Sequence, residues 1–128
     1  MYESLTIVGR LGGDPELRYT PAGDAVANFS VAVNARWTGK DGESQEKVTW
    51  YRIACWGRLG EICNQYLAKG RMVMITAKRI AAEAYVDKDG KPRAALKVTA
   101  DAVKFLDSAG SGPGNRVDSD EESGEMPF

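Results

Sequence analysis

Histidine is absent from the 128 residues, and cysteine occurs only twice. The first absence removes the commonest general base and every Ser-His or Cys-His nucleophile pair. Two cysteines are too few for a disulfide framework, and without histidine a zinc site lacks its usual ligand set. Cys55 and Cys63 therefore read as small buried hydrophobes. No metal, cofactor or catalytic residue is expected; carboxylates or lysines alone leave enzymes open, but no paired arrangement stands out. No apolar run approaches the ~18 residues of a membrane span, and no charged-apolar-small leader follows Met1. The expectation is a chain that neither spans a membrane nor is secreted, and that works in the cytosol.

What is present suffices for one domain with a real core, since 43% of the residues are hydrophobic. The net charge of -1 hides an asymmetry. Up to Asp107 there are 16 lysines and arginines against 13 acids, a net of +3; from Ser108 onward Arg116 alone faces Asp118, Asp120, Glu121, Glu122 and Glu125, a net of -4. A mildly basic body with an acidic tail implies partners of opposite charge, and it lets the tail compete for the body's own basic groove.

The most informative stretch is residues 48 to 56, Val-Thr-Trp-Tyr-Arg-Ile-Ala-Cys-Trp. Side chains alternate faces along a strand, so Trp50, Arg52, Ala54 and Trp56 share one face while Tyr51, Ile53 and Cys55 share the other. The second face reads as core. For the first, two readings stand: packed tryptophans, as rings in strands usually are, or a surface that stacks on the planar bases of single-stranded nucleic acid. Arg52 on that face would need a costly buried partner under the first reading.

Elsewhere the pattern is of short strands and turns. Residues 5 to 11 place Leu5, Ile7 and Leu11 on one face; 12 to 15 form a turn, and 16 to 20 extend the sheet to a second turn at 21 to 24. Residues 25 to 35 alternate cleanly, with Ala27, Phe29, Val31, Val33 and Ala35 on one side. A polar loop is expected from Thr38 to Lys47, with Asp41-Gly42 at its turn. Trp37, at the base of this loop, is either packed or a binding ring. Leu59, Ile62, Cys63, Tyr66 and Leu67 follow helical spacing, which predicts a helix ended by Lys69-Gly70 with Tyr66 in the core. Residues 72 to 79 read as a strand with a basic exit, 81 to 86 and 94 to 99 as a hairpin carrying Tyr85, and 102 to 106 as a closing strand.

From Ser108 the composition turns to serine, glycine and proline, which predicts a flexible linker over 108–117 and an acidic tip over 118–128. That tip ends on Met126-Pro127-Phe128, an apolar terminus that can fill a pocket while the acids meet surrounding cations. The element order predicts an all-β, five-stranded OB-fold barrel over 1–107 with one helix between the third and fourth main strands, plus a disordered acidic tail.

These residues resemble the bacterial-type single-stranded DNA-binding proteins. The resemblance is carried by Leu5 to Leu11, by Asp14-Pro-Glu-Leu-Arg-Tyr19, by Gly23 to Asn34, by Trp50 to Gly57, by Tyr66-Leu-Ala-Lys-Gly70 and by the acidic tip. It implies a nucleoid-associated homotetramer that wraps single-stranded DNA without strong sequence preference. It also implies stacking by Trp37, Trp50, Trp56 and Tyr85, and phosphate contacts by Lys40, Arg52, Arg58 and Lys69. Recruitment of replication, recombination and repair proteins is implied for the acids Asp118, Asp120, Glu121, Glu122 and Glu125 with Met126, Pro127 and Phe128. The family's terminal Ile-Pro-Phe or Leu-Pro-Phe is Met-Pro-Phe here, and Ala84 stands where a base often precedes the hairpin aromatic. The rival readings are an OB module acting through protein contacts, and an RNA-binding OB protein.

Overall fold

Period-two alternation becomes a curved sheet whose concave side is the core. The structure, a computed structural model, describes residues 1–107; the expected linker and docking tip, from Ser108 to Phe128, lie outside the described residues. The strands are β1 (Leu5–Leu11), β2 (Glu16–Tyr19), β3 (Ala25–Thr38), β4 (Ser44–Trp56), β5 (Met72–Val86) and β6 (Pro92–Phe105), with the helix α1 (Gly57–Tyr66) between β4 and β5. They run in the order β1-β5-β6-β4-β3-β2, and an additional β1–β3 pairing through Arg10↔Ala32 and Leu11↔Val31 closes the sheet. The result is the expected five-stranded OB barrel of β1, β3, β4, β5 and β6, with β2 a short flap on β3.

Closure needs two backbones unusually close. A Cβ at Gly9 would collide with the Ala32 carbonyl oxygen and meet Val31 Cγ1 at 2.8 Å, so only glycine lets β1 leave β5 and cross onto β3 there. Inside the barrel Val31, Ile53, Val73, Ile75 and Val98 are almost wholly shielded from water. Each such side chain contributes about 1.5–3 kcal/mol relative to exposure. Cys55 and Cys63 are buried, as their composition predicts, with Sγ atoms 3.9 Å apart. The hydrogen bond with Cys63, and after it burial, pushes the Cys55 thiol above its ordinary range.

One pairing is parallel: β4 and β6 run together from Tyr51↔Leu96 to Ala54↔Thr99. Parallel neighbours need a long crossover, which α1 and β5 supply. Five expectations change in the structure. The helix stops at Tyr66, before Lys69-Gly70; Leu67 turns extended (φ -99°, ψ 154°), donates its N–H to the Cys63 carbonyl at 2.9 Å and takes the core position itself. Tyr66 is consequently 53% exposed and not core, its ring tilted against Phe105 with centroids 6.3 Å apart.

The polar segment expected to loop from Thr38 to Lys47 is mostly ladder, because pairing continues to Thr38↔Ser44 and only residues 39 to 43 turn. Backbone bonds hold it: the Gly39 N–H donates to the Glu43 carbonyl at 2.8 Å, and Asp41 Oδ1 accepts from the Glu43 N–H at 3.2 Å. The pieces expected at 72–79 and 81–86 are one strand, β5, and the separate closing strand at 102–106 is the end of β6. Register shifts at Thr76/Ala77 and Ala77/Arg79 break the alternation in the middle of that pair.

Candidate nucleic-acid interface

β4 forms the floor of the site. On one face Ile53 and Cys55 are buried and Tyr51 half-buried; on the other Trp50 is 53% exposed and Trp56 48%. The packed reading of these two rings is thereby excluded for the described chain. They stand six positions apart on the strand, or roughly 20 Å at about 3.3 Å per residue.

The neighbouring strands leave this face open. Opposite Trp50, Arg52 and Ala54 stand Ala32, Ser30 and Asn28 of β3, all too small to cover a ring. On the other flank Lys97 and Thr99 of β6 face Arg52 and Ala54. All of these except Ala32 line a groove of about 840 Å³ that runs on past Gly12 and Arg18. Gly12 shapes the end of the groove, since a Cβ there would lie 2.5 Å from Trp50 Cζ3 and 2.8 Å from Cη2. The indole of Trp50 thus rests on bare backbone.

Arg52 is oriented by Tyr85 of β5. Its Nη2 donates to the tyrosine hydroxyl at 3.4 Å, and its Cζ lies 5.3 Å from the ring centroid, a cation–π contact. Beside it, Lys97 Nζ meets Glu83 Oε1 at 2.7 Å. The hydrogen bond and charge of Lys97, with a smaller contribution from Arg52, hold the Glu83 carboxyl below its ordinary range. Arg18 pairs with Glu16 at 3.2 Å, both on the groove wall.

Of the eight residues expected to contact DNA, Trp50, Arg52 and Trp56 line the groove, and Tyr85 joins them through Arg52. The other four lie outside the groove wall. Trp37, 50% exposed, is opposite Gln45 and shares the parity of the core residue Val31, so it points away from the Trp50 side of the ribbon. Lys40 is at the turn of that hairpin, and Arg58 is exposed at the start of α1. Lys69 is exposed, and its backbone N–H is tied to Asp14 Oδ1 at 2.9 Å. Arg18 and Lys97 were not expected. Alternation among Leu96, Lys97 and Val98 places Lys97 outward, but only the parallel pairing puts it beside Arg52.

Barrel and groove together define an OB-fold protein with a ligand face of exposed rings interleaved with cations, suited to planar groups carried on an anionic backbone. Residues 2–106 match the Single-strand binding protein family, and the chain belongs to that family. It is 43% identical over 100 residues to a single-stranded DNA-binding protein of Neisseria meningitidis serogroup A, covering 78% of this chain and 57% of that one. The chain therefore spans a little over half the length of that relative. A Wolinella succinogenes single-stranded DNA-binding protein is 39% identical over 114 residues, covering 89% of this chain and 70% of its own. Among solved structures, the Plasmodium falciparum SSB complex with ssDNA superposes with a TM-score of 0.71 at 25% identity, covering 84% of this chain and 97% of that one.

Proposed function

We propose that this chain binds single-stranded DNA through the β4 face, without reading sequence. The observation that carries the reading is the exposure of Trp50 and Trp56 on the same face as Arg52, while Ile53 and Cys55 on the opposite face are buried. Stacking is tolerant of sequence because every base has a π-face, and each base stacked on an aromatic contributes about 1–3 kcal/mol. Cations add a salt-dependent share, about -0.7 in log–log slope per phosphate neutralised on a single strand.

Trp37 and Lys40 on the projecting hairpin, with Arg58 and Lys69 at the groove's margins, extend the path a strand follows beyond the groove. Assembly as a homotetramer would offer several such faces to one strand and raise affinity through effective concentration. The acidic tip, through Phe128 and the acids before it, recruits proteins of replication, recombination and repair in this reading.

Titrating the intrinsic tryptophan fluorescence with poly(dT), and in parallel with duplex DNA of equal length, tests the proposal. Strong quenching by poly(dT) and little by duplex is expected. A folded protein whose fluorescence neither polymer quenches would sink the single-strand reading.

A further inference from the structure

Two cations face each other across the parallel seam of the groove. Arg52 of β4 and Lys97 of β6 are register partners, and like charges directly opposite on one face repel. Glu83 of β5 answers that repulsion: its carboxylate holds Lys97 at 2.7 Å, and Arg52 also lies close enough to lower its pKa. Both members of the pair remain about half exposed, Lys97 at 49% and Glu83 at 52%, so the contact is open to exchange with a solute. Arg52 already has a separate hold on Tyr85, which keeps it in place whichever anion is present.

The geometry points to Glu83 as an internal stand-in for a DNA phosphate: in the free protein its carboxylate occupies Lys97, and a phosphate bound between Lys97 and Arg52 displaces it. This rests on the single-strand reading and adds to it a phosphate site at Lys97 and a residue that weakens binding by design of the groove. An exposed pair of this kind holds its partners only weakly, which makes the exchange with phosphate easy. Two consequences follow from the same geometry. Removing the carboxylate frees Lys97 for phosphate, so affinity rises; it also leaves Arg52 and Lys97 without a shared counter-charge, so the free protein becomes slightly less stable.

The test compares Glu83→Gln with Glu61→Gln, an equal change of charge on the exposed side of α1, by fluorescence titration with poly(dT) over a range of salt. Glu83→Gln is expected to bind about two- to fivefold more tightly at low salt than Glu61→Gln does, the range set by the worth of one exposed ion pair. Its salt dependence is expected to stay within about 0.7 per subunit of that of Glu61→Gln, because Lys97 neutralises the same phosphate in both complexes. In a Lys97→Gln background the gain from Glu83→Gln is expected to vanish, because the two act as one unit. Equal affinity of Glu83→Gln and Glu61→Gln, or a gain that survives loss of Lys97, overturns the inference while leaving the single-strand reading intact. Failure of the unaltered protein to bind poly(dT) overturns that reading and this one with it.

Discussion

The two halves of β4 are the same strand under different rules. From Tyr51 to Trp56 it is a barrel wall, with Ile53 and Cys55 inside and Arg52 and Trp56 outside; from Ser44 to Trp50 it belongs to a hairpin arm with hardly any burial on either face. β5 repeats the division, its first six residues alternating into the core and its last six exposed. In the wall, burial dictates which side chain goes where. In the arms only the backbone ladder and a few surface pairs, such as Arg36 with Glu46 at 3.8 Å, hold the strands together. The candidate site runs along the outside of the wall, from its junction with the arm at Trp50 to Trp56, so its rings have a rigid footing and an open face.

The sharpest way to break this comparison is to truncate one apolar residue in each half. Ile53→Ala opens a cavity in a packed interior and is expected to cost about 2–5 kcal/mol of unfolding free energy. Val48→Ala, on the arm at 41% exposure, is expected to stay within about 0.5 kcal/mol. Chemical denaturation of both variants measures the contrast, and similar losses would show that the arm is packed in solution.

A smaller effect, and on a different axis, is expected at the junction. Trp50→Ala removes one stacking platform and is expected to weaken poly(dT) binding by about 1–3 kcal/mol. Its far-UV circular dichroism and unfolding midpoint are expected to remain near those of the parent, since the ring is more exposed than buried. Loss of fold together with binding would reassign Trp50 to the wall.

The smallest effect belongs to the tip of the β5–β6 arm. There Asp87 accepts a hydrogen bond from Arg93 at 2.8 Å, and its other oxygen accepts from the Lys91 and Asp89 N–H groups at 2.9 Å each. The Arg93 bond, then the Lys91 N–H, hold its carboxyl below the ordinary 3.8. A depressed folded-state pKa contributes stability above the unfolded value, and that contribution is lost as pH falls through the folded one. Asp87→Asn is therefore expected to lower the melting temperature slightly at neutral pH. The difference is expected to close in acid below the unfolded value of 3.8; a difference that persists in acid would rule out the charge as its source.

How much of this was legible in the sequence follows the same wall-and-arm division. The walls could be read because burial on one face imposes alternation, as in Ala27, Phe29, Val31 and again in Ile53 and Cys55. The arms could not, because a strand wet on both faces carries no period, and residues 38 to 47 therefore look like loop. Bulges near Ala77 hid the continuity of β5 by shifting its period midway. Tyr66 misled for a related reason: it keeps helical spacing with the core stripe, yet the helix ends on it and Leu67 takes the interior. At the site, Trp50, Arg52 and Trp56 were readable as one face of one strand. Lys97 was not, because its place beside Arg52 is a property of topology and not of local pattern.

The parallel seam between β4 and β6 also has a meaning in time. The β3–β4 and β5–β6 hairpins close short loops and can zip early, whereas joining β4 to β6 must wait until α1 and all of β5 have been gathered in between. Arg52 and Lys97 meet only across that late seam. The complete groove exists only once that seam has closed, so a chain holding only its two hairpins has its rings but only one wall of the groove. Any ligand that bridges Arg52 and Lys97 ties together strands joined along the chain only through α1 and β5, and acts as a clasp on the finished fold.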